Sequence, residues 1–290
     1  MSAMPTQARL AETSSAIDVP RRSFVATVMG LPMSIHVRGP RALGSGVAEA
    51  VASAFTELRA DEAMFSTWQP DSAVSRIKDG RDRLVDAHPR IRRVAALCEL
   101  AGHRTGGAFA AWLPGPDGRQ RFDPTGLVKG WAVDQAFTGL LADLRALGQH
   151  DALVCAGGDI TVACTRTDTP NWVVAVEDPR DRSRTLRSLQ LRTGAVATSG
   201  TAARGAHIID PDTGAAAHGL LSATVIGPKL TWADVYATAA FVKGAAALPW
   251  IATLPDHAGI LVAADGRVSR IAGITPAAQT PRGSSFSSTG

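Results

Sequence analysis

Aromatic residues are scarce in this chain of 290, at 5%, and Tyr236 is the single tyrosine. Cysteine is scarcer still: Cys98, Cys155 and Cys164 form no CxxC pair, which argues against a disulfide framework or a zinc site and for buried thiols. No stretch supplies the roughly 18 uninterrupted apolar residues of a spanning helix, so membrane insertion is not expected. The first 23 residues hold no apolar signal core and no cysteine to carry a lipid, and the expectation is a cytoplasmic protein. Charge of one sign is also missing. A net +4 with scattered Lys and Arg is a solvated basic surface, which excludes a nucleic-acid footprint and leaves room for an anionic ligand.

What is present is a globular composition, 45% hydrophobic and 19% charged, long enough to bury a substantial core. Residues 1–22 are polar and aperiodic and read as a flexible arm; 23–274 read as a single domain; the Pro, Gly and Ser-rich residues 275–290 read as a flexible tail. Phe24 to Val37 alternates as a strand or hairpin broken at Gly30-Leu31-Pro32. A helix is predicted over about 46–63, with Val47, Val51, Phe55 and Leu58 on one face, and another from Pro89 to the stop at Gly106-Gly107. Val133, Phe137, Leu140, Leu141 and Leu144 mark a third, ending near Gly148. Strands then dominate, at 152–155, 160–164, 172–177, 186–191, 195–198 and 222–226, before a helix from Thr231 to about Ala247 and two short strands near 259–263 and 267–271. Helices and strands do not alternate strictly. The expected class is therefore α+β, with mixed, largely antiparallel sheets and packed helices.

Five segments could carry chemistry, and each has a plainer alternative. FDPTGLVKGWAVDQA (122–136) places Asp123, Gly126 and Lys129 at a helix start, where amides and a lysine favour an anion; it is not a P-loop, and taken alone it reads first as a tight turn with a surface Asp and Lys. Asp234 and Thr238 share a helix face at i, i+4 and offer hard oxygens to Mg²⁺, but Thr231 with Asp234 also reads as a capping box. His207 precedes Asp210 by three and could be a carboxylate-oriented base or a metal ligand, with His218 nearby in sequence, or a strand-end histidine before an Asp-Pro turn. Gly157-Gly158 after a strand is a hairpin turn or a place for close ligand approach, and Thr198-Ser199-Gly200 is similarly two-sided. Trp68, in FSTWQPDSAVSRI ahead of a short helix capped by Asp71 or Ser72, could stack on an aromatic ligand, although core packing is the default.

The order of these pieces is more specific than any one of them. Met29-Gly30, FSTWQPDSAVSRI, GGAFA at 106–110, FDPTGLVKGWAVD, AGGDI, TSG, HIIDP and ADVYAT follow one another across residues 24–245 in a way that resembles the ApbE-like flavin transferases, the FAD:protein FMN transferases. The resemblance implies an ApbE-like (T-fold-like) architecture and a reaction: FAD binds with Mg²⁺ (Mn²⁺ as the alternative), a Thr or Ser hydroxyl of an acceptor protein attacks the FMN phosphorus, and AMP leaves. By the same matching, Met29, Trp68, Ala108, Phe109, Ala110, Asp123, Lys129 and Ile208 would line the FAD site. Asp234, Thr238 and the Gly126 carbonyl would hold the metal, and His207 with Asp234 would be catalytic. Trp68 stands where relatives often carry tyrosine, and Ala202-Ala203 replace a tyrosine and a polar residue. The segment between GGAFA and FDPTG is short. An FAD pyrophosphatase giving FMN and AMP, or a non-catalytic FAD carrier, are the competing readings.

Overall fold

The computed structural model describes residues 19–115, 117–148, 150–201, 205 and 208–271. The expected C-terminal tail, nearly all of the N-terminal arm, Ala202, Ala203 and His207 lie outside the described residues. The chain opens with a hairpin, β1 (Arg21–Val28) and β2 (Leu31–Arg38), the first strand beginning two residues ahead of the expected domain start. Helices α1 (Ser45–Phe65), α2 (Ala73–Lys78) and α3 (Pro89–Thr105) follow, then a small hairpin of β3 (Trp112–Pro114) and β4 (Gln120–Phe122), and the long helix α4 (Thr125–Ala146). Next come β5 (Asp151–Ala156), β6 (Asp159–Ala163), β7 (Trp172–Asp178), β8 (Asp181–Leu191), β9 (Thr193–Gly200) and β10 (Leu220–Gly227). Helices α5 (Leu230–Lys243) and α6 (Ala247–Ile251) precede the closing hairpin of β11 (Ala258–Ala263) and β12 (Val268–Ile271).

Eight strands form one antiparallel sheet in the order β1-β2-β5-β6-β9-β10-β11-β12, so the fold is α+β, as expected. The two faces of the sheet have different covers. Met33, Ile35 and Val37 of β2 and Ala223 and Val225 of β10 point to the helices, where α5 is buried on almost every side between sheet and α4. Leu153, Ile160, Val162, Val196 and Ile226 point the other way and are covered by the β7–β8 hairpin through Trp172, Val174, Val176 and Leu191. Each of those buried side chains contributes about 1.5–3 kcal/mol relative to exposure, enough to hold a hairpin that, among the described residues, shares no backbone ladder with the main sheet.

Local signals set the element ends. The α1 face is the predicted one, with Val47, Val51, Phe55 and Leu58 all buried. In α3, Pro89 occupies the first turn, His88 Nδ1 accepts from the Arg90 amide, and Gly106 closes the helix in the left-handed region at φ 61°. Ser72, not Asp71, caps α2. Gly157 and Gly158 make the two-residue turn of the β5–β6 hairpin, both with positive φ. The last long helix is shorter than predicted: Gly244, at φ 57°, ends it after Lys243, and α6 follows a short 3₁₀ turn. The three cysteines are free thiols, and burial pushes the Cys98 thiol up to about 12. Among the described residues no helix is long and apolar enough to cross a membrane.

Candidate active site

The first turns of α4 and α5 meet beside the ends of β9 and β10. An alanine Cβ at Gly130 would stand 3.0 Å from Leu230 O and from Thr231 Cα, so only glycine lets the two helices approach this closely. Their N-terminal turns then open onto a cavity of about 410 Å³. Ala108, Phe109 and Ala110 form one side of it, the Gly157-Gly158 turn and Thr198-Ser199-Gly200 another, and Val174–Glu177 of β7 a third. Gly126 fits because a Cβ there would meet the Phe109 ring at 3.0 Å.

The starts of the two helices are secured by different aspartates. Asp123 Oδ1 accepts from the Thr125 amide (3.2 Å) and hydroxyl (2.6 Å), while its Oδ2 takes a hydrogen bond from Lys78 Nζ at 2.6 Å. Burial alone would raise the Asp123 pKa, but the Lys78 and Thr125 contacts outweigh it and hold the carboxyl below its ordinary value. At α5, Asp134 of α4, only 7% exposed, accepts from the amides of Leu230 (3.1 Å) and Thr231 (2.9 Å) and from the Thr231 hydroxyl (2.6 Å). The capping box expected between Thr231 and Asp234 does not form. Helix α5 already begins at Leu230, which places Thr231 and Asp234 inside it, and the Thr231 hydroxyl is spent on Asp134.

Asp234 is thereby free for other work. It is 8% exposed, and among the described residues its Oδ2 accepts no hydrogen bond although Lys129 Nζ lies 3.1 Å away: the ammonium neutralises the oxygen without being aligned to donate to it. Lys129 is ion-paired to Asp159 as well, and it is to Asp159 that it donates its hydrogen bond; Asp159 Oδ1 accepts from the Thr198 amide at 2.9 Å. One turn on from Asp234, the Thr238 hydroxyl meets Ser199 Oγ at 3.1 Å. Among the described residues no three His, Cys, Asp or Glu side chains gather as a metal cluster. A cation here would rest on one carboxylate and on neutral oxygens. The buried, unsatisfied Asp234 oxygen, the Thr238 hydroxyl with a spare lone pair, and Gly126 on the same wall fit a hard divalent ion that completes its shell with water and phosphate.

Of the expected site residues, Ala108, Phe109, Ala110, Asp123, Gly126, Lys129, Ile208, Asp234 and Thr238 line this cavity together. Met29 and Trp68 are not on its wall. Met29 turns the β1–β2 hairpin at φ 55° and packs against the core. Trp68 is 94% exposed, neither core nor cavity wall, because Ser66 Oγ accepts from the Trp68 and Gln69 amides and Ser66 O from the Ser72 and Ser75 hydroxyls, a turn that points the indole outward. Asp210 accepts from the Asp212 amide in a turn closed by the Ile209–Ala216 bridge. Asp159, Lys78, Asp134 and the β7 wall were not singled out from sequence. AGGDI did contain Asp159, and a buried acid directly after a two-glycine turn was the available signal.

The family model of the ApbE family matches residues 29–113 and 110–261. The chain is 27% identical over 258 residues to a FAD:protein FMN transferase of Klebsiella pneumoniae (strain 342), covering 69% of this chain and 74% of that protein. It is 26% identical over 243 residues to one of Salmonella typhimurium, covering 65% and 69%. Among solved structures, an ApbE protein from Thermotoga maritima superposes with a TM-score of 0.74 at 22% identity, over 87% of this chain and 97% of that one. The apo form of the Pseudomonas stutzeri flavinyl transferase ApbE gives 0.70 at 20%, over 88% and 96%. The family-model match, the antiparallel sheet and the cavity where six of the eight motifs converge lead to one conclusion: the chain belongs to the ApbE family.

Proposed function

We propose that the protein transfers FMN from FAD to a threonine or serine hydroxyl of an acceptor protein, with AMP as leaving group and Mg²⁺, or Mn²⁺ in its place, as the metal. The observation that carries this reading is the buried Asp234 oxygen that accepts no hydrogen bond among the described residues, set beside Thr238 and Lys129 on a cavity wall. Charge supports it too. Asp123, Asp159, Glu177 and Asp234 line the cavity against Lys129 and Arg182, so a diphosphate needs more positive charge than the side chains supply. A divalent ion, when bound, would neutralise phosphate charge that grows toward the transition state.

The chain's own groups would then do the rest. Lys129, on the cavity wall, would donate to a phosphate oxygen, and the Gly157-Gly158 turn, free of side chains, would let a flat or phosphorylated ligand approach the backbone. His207 is assigned the base. The acceptor oxygen bonds to the FMN phosphorus, the bridging P–O bond breaks, AMP carries away the leaving oxygen, and His207 takes the hydroxyl proton.

The test is intact-mass spectrometry of a flavin-acceptor domain incubated with this protein, FAD and Mg²⁺, with AMP followed in the same tube. An FMN adduct matched by AMP is expected. Asp234→Ala should lower transfer by about a thousandfold or more while circular dichroism stays unchanged. AMP without adduct would turn the reading to a pyrophosphatase, intact FAD to a carrier, and full activity of Asp234→Ala would remove the metal assignment.

A further inference from the structure

Lys129 stands between two buried carboxylates and treats them unequally. Asp159, 4% exposed, has both oxygens committed: Oδ2 to the Lys129 ammonium and Oδ1 to the Thr198 amide at 2.9 Å. Its backbone is fixed as well, at the first residue of β6 directly after the Gly157-Gly158 turn. Asp234 has one oxygen 3.1 Å from the same ammonium and outside hydrogen-bond alignment. A lysine with only one buried carboxylate in reach would turn its donors onto it. Here the aligned hydrogen bond is with Asp159, so the ammonium compensates Asp234 from the side and leaves its oxygen open.

From this we infer that Lys129 is the resident counter-cation of Asp234 in the metal-free protein, and that Asp159 is the positioning residue that retains the ammonium when a divalent ion takes Asp234. The arrangement solves a problem of burial. Two uncompensated buried carboxylates on one cavity wall would be costly before the metal arrives, and an ammonium with nowhere else to go would oppose its arrival. With Asp159 in place, metal binding gives up one misaligned contact and strands no charge. The inference rests on Asp234 holding the metal and goes beyond that reading by assigning Asp159 a role.

The experiment is a Mn²⁺ titration of the protein alone, reading free Mn²⁺ by electron paramagnetic resonance, across a double-mutant cycle of Asp159→Asn and Lys129→Met. Asp159→Asn keeps the shape and the acceptor for the Thr198 amide. It should weaken Mn²⁺ binding about tenfold or more in the wild-type background, the scale of outer-shell effects on metal affinity. In the Lys129→Met background, with no ammonium to misdirect, the same change should cost about threefold or less. A carboxylate acting only through its own field would cost the same in both backgrounds, and that result overturns the inference, as does an Asp159→Asn protein that binds Mn²⁺ like wild type. Should Lys129→Met not fold, Lys129→Gln takes its place in the cycle. A wild-type protein that takes up no Mn²⁺ removes the metal reading itself, and the inference with it; wild-type binding without coupling removes the inference alone.

Discussion

The main sheet contains the same order twice, hairpin, helix, hairpin, and the two halves differ most where they meet. The first half runs β1-β2, then α1 to α4 with the small β3–β4 hairpin inserted, then β5-β6; the second runs β9-β10, α5 and α6, then β11-β12. The fifth residue of α4 is Lys129 and the fifth of α5 is Asp234, and these two form an ion pair at the cavity. Their helix starts also differ, one secured by Asp123 from the residues just before it, the other by Asp134 reaching across from its partner helix. The comparison teaches that a repeated backbone plan can build a site of mixed charge, because side chains at equivalent positions are free to differ. It also makes α5 dependent on α4 for its first turn.

That dependence can be broken at the crossing. Gly130→Val should cost about 3 kcal/mol in denaturant unfolding, since its Cβ meets backbone of α5 that cannot rotate away. Gly139→Ala, further along α4, meets nothing closer than Glu57 Oε2 at 3.9 Å and should stabilise by about 0.5–1 kcal/mol through helix propensity alone. Equal effects at the two glycines would show that the crossing is not tight. A smaller loss, about 2 kcal/mol, is expected for Asp134→Ala, which leaves the Leu230 and Thr231 amides without their acceptor. Hydrogen exchange should localise that loss to the first turn of α5; protection lost evenly over the chain would contradict a cap.

Local pattern carried most of the fold. Periodic apolar faces, Pro89, Gly106 and the glycine pair at 157–158 each act over a few residues, so α1, α3 and the β5–β6 hairpin were legible. What failed to show is long-range. Lys78 lies 45 residues from Asp123, Lys129 30 from Asp159, and Asp134 96 from Leu230, and no spacing rule links such pairs. The β7–β8 hairpin alternates like any other strand pair, and only its docking onto Leu153, Ile160 and Val162 makes it a second layer. Trp68 illustrates the opposite error, since a large apolar side chain reads as buried until the Ser66 turn is seen to face it outward. The site was legible where the family's motifs are contiguous and illegible where it depends on the charges between them.

The smallest of the expected effects sharpens the contrast between the two helix starts. Because Lys78 and Thr125 hold the Asp123 carboxyl below its ordinary value, ionised Asp123 stabilises the fold, and the contribution is complete above the unfolded carboxyl pKa near 3.9. As pH falls through the lower folded value the carboxyl protonates, the Lys78 contact weakens to a neutral hydrogen bond, and the contribution disappears. Thermal midpoints of wild type and Asp123→Asn should therefore differ by a constant amount above about pH 5 and converge as pH falls below about 4. Lys78→Met should flatten the same acid limb, since it removes the partner and leaves the acid in place. A gap between wild type and Asp123→Asn that stays constant down to pH 3 would mean that Asp123 holds the start of α4 by hydrogen-bond geometry alone, as an uncharged side chain could.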